Sequence, residues 1–241
     1  SDVRPVVVSV GPVAPDPRKE LVTSLQVVFS KAIDALTFTV DDLRLSRNGS
    51  PLSDLSGVTI DPATPGSETA FRVGGLGGLT ALEGTYEFTV DAGSVQDSAG
   101  NSGIGARSDS WVLDTTAPRV LAIESLATDP RNIVVQALEV TLSEAIDPVT
   151  FDYRDVTLSR DGGPNLITSD VTVSRVSDTV YRISNFNWVV GVEGVYLLTV
   201  AGAGLQDAAG NGGGGSASSQ PDVINRRSRR SVDTPSRLPF R

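Results

Sequence analysis

The sequence contains no cysteine, no histidine and no methionine. Without Cys there are no disulfide staples and no thiol nucleophile. Without His there is no Ser-His-Asp triad and no imidazole ligand for zinc or haem, so most familiar enzyme chemistry is excluded. Aromatic residues make up only 5% of the chain, which leaves few large anchors for a core. No apolar run approaches the roughly 18 residues needed to cross a bilayer, and the first residues lack the basic, apolar and small-residue order of an export signal. Lysine is confined to Lys19 and Lys31, and Asp supplies most of a formal net charge of -9. Such an acidic body does not attract nucleic acid. The absence of Cys fits both the cytosol and the bacterial exterior.

What is present is a duplication, read across 241 residues that allow one or two domains and an appendage. Val27-Val28-Phe29-Ser30-Lys31-Ala32-Ile33-Asp34 returns as Val140-Thr141-Leu142-Ser143-Glu144-Ala145-Ile146-Asp147. Glu83-Gly84-Thr85-Tyr86 returns as Glu193-Gly194-Val195-Tyr196, and Gln96-Asp97-Ser98-Ala99-Gly100-Asn101 as Gln206-Asp207-Ala208-Ala209-Gly210-Asn211. The predicted division is 1–114, 115–224 and a basic tail, 225–241, whose polar, Arg-rich composition predicts disorder. Arg226-Arg227-Ser228-Arg229-Arg230 alternatively offers a patch for an anionic surface or a protease. Ser1-Asp2-Val3-Arg4-Pro5 lines up with Asp114-Thr115-Thr116-Ala117-Pro118, which predicts a further repeat upstream in the natural protein.

Each copy reads as short β-branched or alternating runs bounded by turn residues such as Asn48-Gly49, Asp61-Pro62 and Gly74-Gly75. About seven strands in about 110 residues, with no helical periodicity, predict an all-β chain of two tandem antiparallel sandwiches of immunoglobulin type. Tyr86 and Tyr196, each entering a strand after Glu-Gly-x, are expected to tie a loop back through the hydroxyl. The last strand of the second copy is expected to be short and poorly paired, because Pro221 falls where the first copy has Trp111.

Phe29-Ser30-Lys31-Ala32-Ile33-Asp34, Asp97-Ser98-Ala99-Gly100-Asn101 and Asp114-Thr115-Thr116-Ala117-Pro118 resemble the bacterial immunoglobulin-like repeats of large secreted and cell-surface proteins, including adhesins. The resemblance covers about Pro5 to Asn211. It implies an extracellular, non-catalytic spacer or adhesive module, with neighbouring repeats of the same parent chain as partners and with some members stiffened by calcium.

Two sites are candidates. Calcium takes six to eight oxygens, and at the junction between the repeats Asp97, Asn101 and Asp114 of the first copy could supply some of them, with acidic groups near Asp147 of the second completing the shell. The alternative for Asp97–Asn101 is a plain turn, with Asp97 accepting an Asx-type hydrogen bond and Gly100 or Asn101 in a left-handed conformation. Trp188, within Asn185-Phe186-Asn187-Trp188, could stack on a sugar or anchor a receptor, giving a carbohydrate- or receptor-binding module; the commoner role of such a residue is to lid one end of a sandwich. No carboxylate pair stands out as a hydrolytic centre, so an enzyme is the class least expected.

Overall fold

The computed structural model describes residues 3–125, 135–186, 192–219 and 222–223. The chain separates into two compact units, Ser1–Thr116 with Ala208–Asn211, and Ala117–Asp207 with Gly212–Arg241. Each is all-β apart from short 3-10 turns.

In the first unit one sheet is formed by β1 (Val7–Val10), β2 (Leu25–Phe29), β6 (Ala70–Gly74) and β5 (Thr59–Pro62), in that spatial order. The facing sheet has the order β4 (Ser50–Pro51), β3 (Leu43–Arg47), β7 (Gly84–Asp91) and β8 (Ala106–Leu113). All strand pairs within the sheets are antiparallel. This is the strand order of an immunoglobulin-like sandwich, with a short extra strand on the second sheet. Period-two alternation sends Tyr86, Phe88 and Val90 of β7 into the core and leaves Thr85 and Glu87 outside.

Edge-to-face contacts among Phe29, Phe38 and Phe71, with centroids 5.1–6.0 Å apart, fill one part of the core. In another part, Trp111 stacks on Tyr86 at 5.4 Å. The Tyr86 hydroxyl donates to the Leu82 carbonyl at 2.5 Å, closing the expected loop-to-strand tie.

The second unit repeats the plan. β9 (Val120–Ile123), β10 (Ala137–Leu142), β13 (Val180–Ser184) and β12 (Thr172–Arg175) form one sheet in that order. β11 (Val156–Arg160), β14 (Gly194–Ala201) and β15 (Ser216–Ser219) form the other, and β16 (Asp222–Val223) also pairs with β14. The eight-residue β8 of the first unit is thus matched by a four-residue β15 and a two-residue β16 on either side of residues 220–221. Pro221, where the last strand was expected to be interrupted, lies outside the described residues.

Tyr196 makes the same hydroxyl bond as Tyr86, to the Val192 carbonyl at 2.7 Å. Leu142 takes the place of Phe29 and Tyr181 that of Phe71, so an aromatic trio becomes the Phe151–Tyr181 pair at 5.3 Å. Among the described residues no helix is long and apolar enough to cross a membrane.

Candidate functional site

In each unit, the turn after the second strand and the loop after the long strand are locked together by the same bonds. In the first unit the Asp34 amide donates to the Gln96 carbonyl at 2.7 Å. The Gln96 amide donates to the Thr37 hydroxyl at 2.8 Å, and that hydroxyl donates to the Asp34 carbonyl at 2.7 Å. In the second unit Asp147, Thr150 and Gln206 make the equivalent bonds at 2.7, 3.0 and 2.7 Å. The aspartate carboxylate caps the short 3-10 turn in both, accepting from Leu36 N at 3.0 Å and from Val149 N at 3.2 Å.

Against this common frame the central charges differ. In the first unit Asp97 is 3% exposed. Its Oδ1 accepts from the amides of Ala99 and Asn101, both at 2.9 Å, while Gly100 turns the chain at a φ of 82°. The Asn101 side-chain amide adds bonds at 3.0 and 3.2 Å, and the Lys31 ammonium lies 2.6 Å from Oδ2. The bond from Lys31 first, and then those from Asn101 and Ala99, hold the Asp97 carboxyl well below the usual carboxylate range despite its burial. The turn reading of Asp97–Asn101 therefore describes its geometry. Asp97 already carries a cation, so a calcium ion there would have to displace an ammonium in direct contact.

Of the three residues of the first unit expected to share calcium, two lie side by side and one does not. Asp97 and Asn101 are together. Asp114 follows β8, whose register runs from Ala106 opposite Asp91 to Leu113 opposite Gly84. It therefore stands at the other end from Asp97 of an eight-residue strand pair, which spans about 23 Å at roughly 3.3 Å per step. There its amide donates to the Arg18 carbonyl at 2.9 Å and its carboxylate accepts from Thr116 N at 3.1 Å. Beside it, Glu83 accepts from Thr115 N at 2.8 Å and from the hydroxyls of Thr115 and Thr116 at 2.6 and 2.8 Å. These bonds, the Thr115 hydroxyl first, lower the Glu83 carboxyl. Asp147 is the turn cap already described, and Trp188 lies outside the described residues.

Sequence reasoning passed over the pair that does converge. Glu144 occupies the position of Lys31, and Asp207 that of Asp97. Carboxylate oxygens of Glu144 and Asp207 lie within 4.8 Å of each other, with Asp207 5% exposed and Glu144 half-buried. The signal was legible in the repeat alignment, where a Lys and a Glu stand at one aligned position beside an unchanged Asp.

An open recess of about 510 Å³ in the first unit is lined by residues including Asp41, Arg44, Leu52 and Asp54. Asp54 there is held low by the hydroxyl and amide of Ser56, the opposite of what a general acid requires.

No family model matches the chain, and no curated protein matches it. Solved structures do. The titin Z1Z2 tandem, solved in complex with telethonin, is 14% identical over 94% of this chain and 98% of its own, with a TM-score of 0.30. The titin tandem A164-A165 is 13% identical over 91% and 95%, with a TM-score of 0.31. The N-terminal part of the bacterial S-layer protein SbsC is 13% identical over 92% of this chain and 44% of that one, with a TM-score of 0.32. The sandwich assignment itself rests on the strand order and register of each unit.

Proposed function

We propose that this chain is a non-catalytic structural module, two repeats of a bacterial surface or secreted protein that add length and present what the parent chain carries elsewhere. One observation supports this reading above the others. Both units tie their apical loops to the sandwich through the same Asp–Thr–Gln bonds and close a strand with the same tyrosine, so the repeated residues serve shape. A spacer needs repeatable rigidity and no reacting group. The partners are neighbouring repeats of the parent chain.

The test is single-molecule extension of the pair, with binding and hydrolysis screens on polysaccharides. Two separate cooperative unfolding events with no saturable ligand support the spacer. Saturable binding to a glycan that Trp188→Ala abolishes would replace it with a carbohydrate-binding module, and hydrolysis lost on changing a single Asp would make the chain an enzyme.

The Glu144–Asp207 pair favours a cation-stiffened version of the second repeat. Two carboxylates in one place repel, and a hard divalent ion offsets that repulsion with oxygen ligands. Calcium is the ion proposed, held by Glu144 and Asp207; the first repeat, with Lys31 in the pair, has no need of it.

A further inference from the structure

The hairpin tip at Asn48-Gly49 is an exposed two-residue turn between β3 and β4, closed by Arg47 opposite Ser50. Asn48 has a φ of 51° and Gly49 a φ of 75°, as a two-residue hairpin turn of the primed type requires. The Asn48 amide donates to the Thr85 carbonyl at 2.7 Å, and the Thr85 amide donates to Asn48 Oδ1 at 2.9 Å. A Cβ added to Gly49 would meet nothing within 4 Å, so the turn is open to solvent on that side of the Gly49 Cα.

The second repeat holds Asp161-Gly162 at the same place. Asp161 has a φ of 52° and Gly162 a φ of 71°. The Asp161 amide donates to the Val195 carbonyl at 2.8 Å, and Val195 N donates to Asp161 Oδ1 at 2.8 Å. The other carboxylate oxygen lies 3.9 Å from the Arg160 guanidinium, and Arg47 stands in the position of Arg160.

We propose that Asn48 is a self-modification site, which deamidates through attack by the Gly49 nitrogen to leave in the first repeat the acidic turn that the second repeat encodes as Asp161. The Gly49 nitrogen, its proton lost to solvent base, forms a bond to Cγ of Asn48. The Cγ–Nδ2 bond breaks and ammonia leaves, giving a five-membered imide. Water then opens the ring at one of its two carbonyls: attack at Cγ gives aspartate, attack at the main-chain carbonyl gives isoaspartate, and in both the net change is the exchange of one amide for one carboxylate by hydrolysis. The Thr85 amide sits on the oxygen where negative charge develops in the first step and stabilises it there. The resulting aspartate keeps that bond, since the oxygen already accepts, and gains Arg47 as a neighbour.

Burial makes the proposal selective. Asn211-Gly212 is the same dipeptide, but Asn211 is 8% exposed. Shielded from solvent base and water, it is spared while the fold persists.

The experiment is incubation of the whole chain in mildly alkaline buffer, folded and in denaturant, with peptide mapping by mass spectrometry. In the folded protein the Asn48 peptide gains about one mass unit, or about three in heavy-oxygen water, because the new oxygen comes from solvent. Conversion at Asn211 is at least about tenfold slower in the folded protein, and the two rates come together in denaturant, where local protection is gone. Equal rates at Asn48 and Asn211 in the folded protein, or an Asn48 that converts only in denaturant, would overturn the proposal. The Asn48→Asp variant is the product standard. A thermal midpoint matching the parent chain supports accommodation by the turn, and a large fall overturns it.

Discussion

The Lys31 ammonium lies 2.6 Å from the carboxylate of Asp97, and at the aligned positions of the second repeat Glu144 faces Asp207 instead. One substitution between the copies replaces the ammonium beside the aspartate with a second carboxylate, within the same hydrogen-bonded loop frame.

The first prediction concerns acid stability. The Asp97 carboxyl is depressed in the fold, so its contribution is fully present above the unfolded value of about 3.9 and is lost as pH falls from there towards the folded value. Lys31→Met should flatten that acid limb for the first unit, and Lys31→Glu should lower its thermal midpoint by several degrees at neutral pH. Calorimetry from neutral pH into the acid range reads both effects. An unchanged acid limb in Lys31→Met would show that the turn amides alone hold Asp97.

The second concerns metal. Millimolar calcium should raise the midpoint of the second unit in the parent chain and have no effect in Glu144→Lys, which recreates the ion pair of the first repeat. Thermal unfolding with and without the ion decides it, and equal response in the two proteins would remove Glu144 as a ligand.

A third follows from the core exchange of Phe71 for Tyr181. The Tyr181 hydroxyl is buried without a hydrogen-bond partner among the described residues. Removing an unsatisfied buried group should recover about 1–3 kcal/mol, so Tyr181→Phe should raise the denaturant midpoint of the second unit. Burial pushes the phenol above its ordinary value. The neutral form is therefore favoured in the fold, and stability present below about pH 10 is lost as pH rises beyond it. Tyr181→Phe should abolish that alkaline loss.

The fourth concerns the tyrosine ties. Tyr86→Phe and Tyr196→Phe each leave a loop carbonyl, of Leu82 or Val192, without its donor. Each should cost about 1–2 kcal/mol by chemical denaturation, with no change in the shape of the core. Trp111→Ala, which empties the space beside Tyr86, should cost about 3–5 kcal/mol.

The fifth concerns the segment after β8. Glu83→Ala should speed hydrogen exchange at the Thr115 amide while leaving exchange in β7 and β8 unaltered, because Glu83 accepts that amide and both threonine hydroxyls. Since those bonds lower the Glu83 carboxyl, protection at Thr115 should persist at neutral pH and fade only as pH falls below the ordinary Glu value of about 4.3.

Strand identity was legible wherever one face is apolar. Leu25–Phe29, Leu43–Leu45 and Tyr86–Val90 alternate, and all lie in strands. Ala106–Ser110 was not legible as strand, because its side chains are small or polar and mostly exposed, and its pairing with β7 is made by the backbone. The 3-10 turns at Ala35–Thr37 and Pro148–Thr150 are too short to leave a periodic trace, and only the capping Asp marks them.

The amino-acid order alone determined that the chain is a duplicated all-β unit without His or Cys chemistry, because composition, turn residues and alternation are local properties. Tertiary structure decided which carboxylates meet. Asp97 and Asn101 are close both in sequence and in space, whereas Asp114 is carried to the opposite end of the sandwich by eight residues of paired strand. Glu144 and Asp207, 63 positions apart in number, are brought together by a loop frame of backbone and threonine bonds. Charge can be counted along a chain, but attraction and repulsion depend on distance, and the sheet register sets that distance.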